Sequence, residues 1–354
     1  MVTVITRTIG PSGRDYASFT LAEADVTNIG TSADLVANDE AIVFEADAGT
    51  YNESVTLLSG LTTDATRNVT YKAAAGSEHG GVFGAGVHIS STGTAFTNYD
   101  DFTRFEALSC VGSNVTCAVQ AGIGWTFTRC LIHSTTAQYA FFATGNTSSS
   151  SRGLLENCVL KQDTNWRAMR FLTGSTGLGY YRAVNNTTVT SSSWEFESRG
   201  AALDVELINN INYGPGVIVN LSGGGSVVQS GSNNYSTGSS PWPLAIQGSP
   251  YPITPTTDTS PGAGDWAIYQ ASNGQLYNIV ENDVWQQGIG PTANADVPAT
   301  DILGYARYGA TANPGAFELG LALPGPYAKP RHFQVNTAAD PHAVSLWSPT
   351  LRKL

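Results

Sequence analysis

The chain has 354 residues with 17 basic against 28 acidic side chains, a net charge of −11, and only 13% charged residues, against about 25% in an ordinary soluble domain. A charge-poor, acidic body excludes the Lys- and Arg-rich surface that nucleic-acid binding requires. The opening MVTVITRTIGPSGRDY has neither the basic nor the apolar region of a secretory leader, and no apolar run approaches the roughly 20 residues that span a bilayer. The expectation is therefore a chain folded in a cytoplasm, with no membrane insertion.

In chain order, DYASFTLAEADVTNIG places Tyr16, Phe19, Ala22, Val26 and Ile29 at helical spacing, which predicts a short amphipathic helix capped by Asp15 and stopped by Gly30. Such a helix could cover the open end of a sheet. AIVFEADAGTYNESVTLL at 41–58 reads as a strand, a glycine-containing turn and a second strand, and NVTYKAAAG from 68 and GVHISS from 86 continue the series.

From 106 onwards five stretches resemble one another: EALSCVGS, FTRCLIHS, LENCVLKQ, AVNNTTVT and LINNINYG. Aligning Cys110, Cys130, Cys158, Asn186 and Asn210 gives spacings of 20, 28, 28 and 24, and VQSGSNNY would add Gly231 as a weaker sixth member. A β-rich repeat of twenty to thirty residues predicts an all-β parallel solenoid, in which equivalent residues stack in columns about 4.8 Å apart. Asparagine is depleted from strands, yet RAVNNTTVT places two in the middle of one. The reading that resolves this is strand, corner, strand, with Asn accepting the left-handed corner and passing side-chain hydrogen bonds from turn to turn. Cys110, Cys117, Cys130 and Cys158 then read as small buried thiols; no Cys-x-x-Cys pair or histidine spacing points to a metal, and no cofactor motif is present.

Residues 237–265 turn rich in Pro, Gly, Ser and Thr and predict an extended segment, and WAIYQASNGQLYNIV predicts two strands around Asn-Gly. Residues 321–354 carry Lys329, Arg331, Arg352 and Lys353 against Asp340, a net of +3 that leaves −14 on the remainder. A basic tail on an acidic body is expected to dock, onto its own solenoid or onto a neighbouring subunit. The chain thus divides into a strand and capping helix (1–40), a β-solenoid (41–236), a Pro/Gly-rich segment with closing coils (237–320) and a docking tail (321–354).

TIGPSGRDYASFTLAEADV, followed by DEAIVFEADAGTYNESVTL with its Gly49-x-Tyr51-x-Glu53 turn, resembles the start of right-handed parallel β-helix proteins of the pectate-lyase-like superfamily. DILGYARYGATANPGAFEL, with Gly304, Arg307, Gly315, Ala316, Phe317 and Glu318, resembles the closing stretch of such chains. The resemblance covers roughly residues 1–320, and its motifs mark fold rather than activity. Without a leader, the chain is most similar to the phage-encoded members, which include tailspikes, fibres and capsid-associated proteins. Its expected cap begins within the first twenty residues, where tailspikes usually carry a separate virion-binding domain, and the aspartate cluster beside a basic residue that calcium-dependent lyases use is not found in the sequence.

The best candidate for chemistry is SSWEFESRGAALDVEL at 192–207. With Trp194, Phe196, Val205 and Leu207 inward, alternation throws Glu195, Glu197, Asp204 and Glu206 outward on successive strands. Paired carboxylates are what glycoside hydrolysis uses, although outward strand positions are polar by default. Trp166, Tyr180, Tyr181 and Arg199 are the candidate glycan contacts, and Lys329, Arg331, Arg352 and Lys353 the candidate attachment residues. Two functions follow. One is a non-enzymatic virion protein, a decoration protein, spike or fibre made in the host cytoplasm, forming a homotrimer, attached to capsid or tail and touching cell-surface polysaccharide. The other is a polysaccharide-degrading lyase or glycoside hydrolase.

Overall fold

A computed structural model describes residues 1–119, 122–136, 138–144, 150–164, 167–173, 178–190, 194–199, 201–213, 217–222, 225–232, 234–236, 268–270, 276–278, 288–304, 306–307, 309–312 and 315–316. Among these the protein is all-β, with three long parallel sheets and very few helical residues. The first sheet comprises β1 (Thr3–Ile9), β2 (Glu40–Ala46), β5 (Val69–Ala73), β8 (Arg104–Glu106), β11 (Thr126–Thr128), β14 (Gly153–Glu156), β17 (Gly179–Val184), β20 (Ala202–Ile208) and β23 (Ser226–Ser232). The second holds β3 (Gly49–Asn52), β6 (Val87–Ser91), β9 (Ser109–Gly112), β12 (Leu131–Ser134), β15 (Val159–Gln162), β18 (Thr187–Val189), β21 (Ile211–Tyr213) and β24 (Tyr235–Ser236). The third holds β4 (Val55–Leu57), β7 (Phe96–Asn98), β10 (Cys117–Val119), β13 (Phe141–Thr144), β16 (Met169–Leu172), β19 (Trp194–Arg199) and β22 (Val217–Ser222).

From β2 onward the chain visits the three sheets in the same order on every circuit, and each strand pairs in parallel with its counterpart one circuit earlier and later. This arrangement is compatible with a parallel β-solenoid. The segment 41–58 supplies three strands rather than two, because Tyr51 and Val55 are both buried and a second corner falls between them at Glu53 and Ser54.

The core lies between the sheets, and its columns run along the stack. On the first sheet Phe44, Tyr71, Phe105 and Phe127 are successive register partners with ring centroids 4.9, 5.9 and 4.2 Å apart. Leu155, Ala183, Leu207 and Gly231 continue the same column. Trp125 fills the space above Gly153, where an added Cβ would meet the indole at 2.3 Å.

The corner between the first and second sheets explains the asparagine pairs. Ala107, Arg129, Asn157, Asn185 and Asn209 all have φ between 51° and 56°, the left-handed region in which Asn is at least cost among non-glycine residues. The next residue points inward and forms a buried ladder. Asn186 N and Nδ2 donate to Asn210 Oδ1, both at 3.0 Å, and Asn210 N and Nδ2 donate to Asn234 Oδ1 at 3.0 and 2.9 Å. Cys158 N donates to Asn186 Oδ1 at 2.9 Å, and Cys130 N to Cys158 Sγ at 3.4 Å. Two members of the expected column were misplaced. Leu108, not Cys110, precedes Cys130 at the corner, since Leu131 N donates to Leu108 O, whereas Cys110 lies on β9 opposite Ile132. Asn234, not Gly231, follows Asn210.

At the other end, α1 (Phe19–Asp25) is capped by Ser18, whose hydroxyl accepts from Leu21 N, and a single 3₁₀ turn (Val26–Asn28) follows it. Asp15 is not the cap; its carboxylate accepts from Thr8 N at 2.7 Å instead. Gly30 lies past the helix, where a Cβ would meet Glu40 Oε2 at 2.7 Å. Phe19, Ala22 and Val26 are buried in the same core as the sheets, with Phe19 edge-on to Tyr51 and Phe96. The Gly49-x-Tyr51-x-Glu53 turn holds this helix: Glu53 accepts from Phe19 N, Thr20 N and Thr20 Oγ1 at 3.0, 2.9 and 2.7 Å. Residues Gly10–Tyr16 fold back on β1, with Tyr16 N donating to Thr8 O and Gly10 N to Tyr16 O. No helix among the described residues is long and apolar enough to cross a membrane.

Candidate functional site

Alternation along β19 and β20 follows the expected parity: Trp194, Phe196, Leu203, Val205 and Leu207 are buried in the core. The four carboxylates are outward, but not together. β19 belongs to the third sheet and β20 to the first, so the turn around Ala201 sends Glu195 and Glu197 to one face and Asp204 and Glu206 to another.

On the third-sheet face the register brings Arg170 of β16 beside Glu195. Tyr139 Oη donates to Glu195 Oε2 at 3.1 Å, and the Nε atoms of Arg167 and Arg170 each lie 3.5 Å from the same oxygen. Arg170 Nη2 also contacts Glu197 Oε2, and Arg199 Nε donates to Glu197 Oε1 at 2.6 Å. The Arg170 guanidinium lies over the rings of Tyr139 and Phe142, 5.2 and 5.9 Å from their centroids, and donates to Tyr139 Oη at 2.9 Å. The side chains of Glu195 and Glu197 are only 8% and 6% exposed, while Arg199 remains 53% exposed. Burial, reinforced by Glu195, raises the Tyr139 phenol above its ordinary range, so it stays a donor. Glycoside hydrolysis needs a carboxyl that faces the scissile bond with a proton to give; these two are instead engaged by guanidinium and phenol groups beneath the surface.

On the first-sheet face Arg152 grips Asp204 with two bonds of 3.1 Å and lies 5.8 Å over the Tyr180 ring. Arg182, the register partner of Glu206, donates to it at 2.7 Å and to Asp296 at 2.7 Å. Tyr180 is partly exposed on this face. Tyr181 is not available to a glycan: it is fully buried, stacked 4.5 Å from Phe171, with its hydroxyl donating to Leu172 O. Trp166 and the attachment candidates Lys329, Arg331, Arg352 and Lys353 lie outside the described residues.

The residues that organise both clusters, Tyr139, Arg152, Arg167, Arg170 and Arg182, escaped the sequence reading. The repeat length signals two of them: Arg170 precedes Glu195 by 25 residues and Arg182 precedes Glu206 by 24.

His79 and His133 are held by local contacts. His79 Nδ1 accepts from Gly81 N at 2.9 Å and its Nε2 lies 2.7 Å from Arg129 O, and burial lowers its pKa to about 4, giving a neutral ring that donates from Nε2. His133 Nε2 lies 2.7 Å from Asp163 Oδ2, and Lys161 is 3.2 Å from the other oxygen. The four cysteines are buried free thiols, and burial pushes Cys158 far above the range of a reactive thiolate. Among the described residues no three His, Cys, Asp or Glu side chains converge as metal ligands would. Compared with known proteins, the chain matches no protein-family model, no curated protein and no solved structure.

Proposed function

We propose that the chain is a right-handed parallel β-helix of the pectate-lyase-like kind, closed at its first circuit by α1, and that it serves as a non-enzymatic structural protein of a phage particle. In this reading it is a capsid decoration protein, spike or fibre that assembles as a homotrimer and touches host polysaccharide through its outer faces. The observation that carries the non-enzymatic reading is the fate of the four outward carboxylates. Glu195, Glu197, Asp204 and Glu206 are each engaged by an arginine of the same strand or of a strand or turn one or two circuits earlier, on two different faces. Strands that use their acids to tie one circuit to the next are suited to a rigid rod.

The test is incubation with capsular polysaccharides of candidate hosts, following reducing ends and unsaturated products. No chain cleavage is expected. Depolymerisation that disappears in Glu195→Gln or Asp204→Asn would overturn the reading in favour of a polysaccharide lyase or glycoside hydrolase.

A further inference from the structure

Beyond the sheets, the chain returns along its own flank. β27 (Gly288–Ile289) and β28 (Thr311–Ala312) pair antiparallel, so the segment between them runs out and back. It lies on the corner built by the left-handed asparagines, and their side chains hold it. Asn209 pairs with both backbone groups of one residue, as a neighbouring strand would: its Oδ1 accepts from Ile289 N at 2.9 Å and its Nδ2 donates to Ile289 O at 2.7 Å. One circuit up from Asn185, Asn157 Nδ2 donates to Thr300 O at 2.7 Å.

Arg307, only 5% exposed, donates from Nη2 to Asn157 Oδ1 at 2.7 Å and to Gly315 O at 2.9 Å. With its amide oxygen turned toward the guanidinium, Asn185 accepts from Arg307 Nε at 2.9 Å. On the return limb Gly315 N donates to Asn209 O and Ala316 N to Thr187 Oγ1. Gly315 has φ 85°, and a Cβ there would meet Thr187 Oγ1 at 2.7 Å, so the limb is pressed against the sheet.

Apolar groups complete the seat. Ile302 and Ala316 pack with Leu131 and Val159, and Val297 packs with Val184 and Ile208. The anchors fall on four consecutive circuits: Leu131 on one, Asn157 and Val159 on the next, Asn185 and Thr187 on the third, Asn209 and Ile211 on the last.

We propose that the described residues between 288 and 316 form an external clamp that locks these four circuits into one cooperative unit, with Arg307 as its pin. Stacked repeats touch only their neighbours, so an unclamped end can peel away one circuit at a time. Bonded across four circuits, the clamp makes the loss of any one of them require its own release. It also explains why the corner carries Asn twice in succession at 185–186 and 209–210: the first side chain faces out to the clamp and the second faces in to the ladder.

The experiment replaces Asn157 and Asn209 by Gly in the full chain, because Gly keeps the left-handed backbone while removing the clamping amide. Arg307→Gln serves as an independent variant. Circular dichroism reports that the sheets persist. Proteinase K cleavage within residues 288–316 and amide hydrogen exchange are then followed together. The expected result is cleavage at least about tenfold faster, with faster exchange in β18 and β21 and native rates in β5 and β8. Faster cleavage with unchanged exchange in β18 and β21 would show a passenger segment and overturn the proposal, as would unchanged cleavage in both variants.

Discussion

The two halves of the stack solve one packing problem with different chemistry. In the first four circuits the interior column of the first sheet is aromatic, from Phe44 to Phe127, and the inward corner residues are Leu108 and Cys130. In the later circuits that column shrinks through Leu155, Ala183 and Leu207 to Gly231, while the corner gains the Asn186, Asn210 and Asn234 ladder and the external clamp. Both halves remove aromatic area from water, the later circuits through Phe171, Tyr181, Trp194 and Phe196, and the second half adds buried amides that satisfy one another and the backbone. The fold requires only that equivalent positions match from circuit to circuit.

The sharpest way to break this comparison is one substitution in each half. Asn210→Leu strips partners from Asn186 N, Asn186 Nδ2 and Ala183 O, and at about 1–3 kcal/mol per orphaned buried group the expected loss is roughly 3–5 kcal/mol. Phe127→Ala should cost a similar ~3–5 kcal/mol through its cavity. Denaturant unfolding distinguishes them: the first variant should lose protection in β18 and β21 first, the second in β8 and β11. Loss from the same strands in both would show that the halves unfold as one body.

A smaller effect sharpens the corner. Asn185→Ala places a Cβ-bearing residue without a helpful side chain at φ 52° and should cost ~1–2 kcal/mol. Ala107 already occupies that conformation at φ 56°, so Ala107→Gly should stabilise by about 1 kcal/mol. Thermal midpoints moving in the same direction for both would contradict the account of the corner.

The smallest effect concerns the first circuit. Burial raises the Glu23 carboxyl from its ordinary 4.5 to about 7, opposed by hydrogen bonds from Tyr71 and Leu58 N. The folded chain therefore holds this proton more tightly than the unfolded chain. The associated stability is complete below pH 4.5 and is lost as pH rises through 7. Glu23→Gln should gain a few degrees in midpoint relative to the parent between pH 5 and pH 8. A difference that does not change with pH would mean that Glu23 ionises as it does in water.

Much of this was legible because two periodicities are written into the residues. The repeat of 24–28 residues marks Cys130, Cys158, Asn186 and Asn210 as one column, and the period of two puts Trp194, Phe196, Val205 and Leu207 inside. The register slipped at Cys110 because Ala107 and Leu108 carry no signature at their corner, so the nearest cysteine attracted the alignment. It slipped at Gly231 although Asn234 repeats the ladder residue. Tyr180 and Tyr181 show the limit of composition: adjacent and identical, they lie on opposite sides of β17, and only parity separates the surface ring from the core ring. Apart from Arg199, the arginine partners of the four carboxylates were hidden because ion pairs across circuits depend on register, which only the repeat length carries.

The fold of Gly10–Tyr16 back over β1 bears on how copies of the protein can associate. A row of open peptide groups at the end of a parallel stack is a template on which another molecule could add its own strand and lengthen the sheet. Here the Thr8 amide is taken by Asp15, and Tyr16 lies beside Ile9 where an incoming strand would sit. Strand addition is denied at that position, so the end of the sheet there is closed to lengthening by an incoming chain.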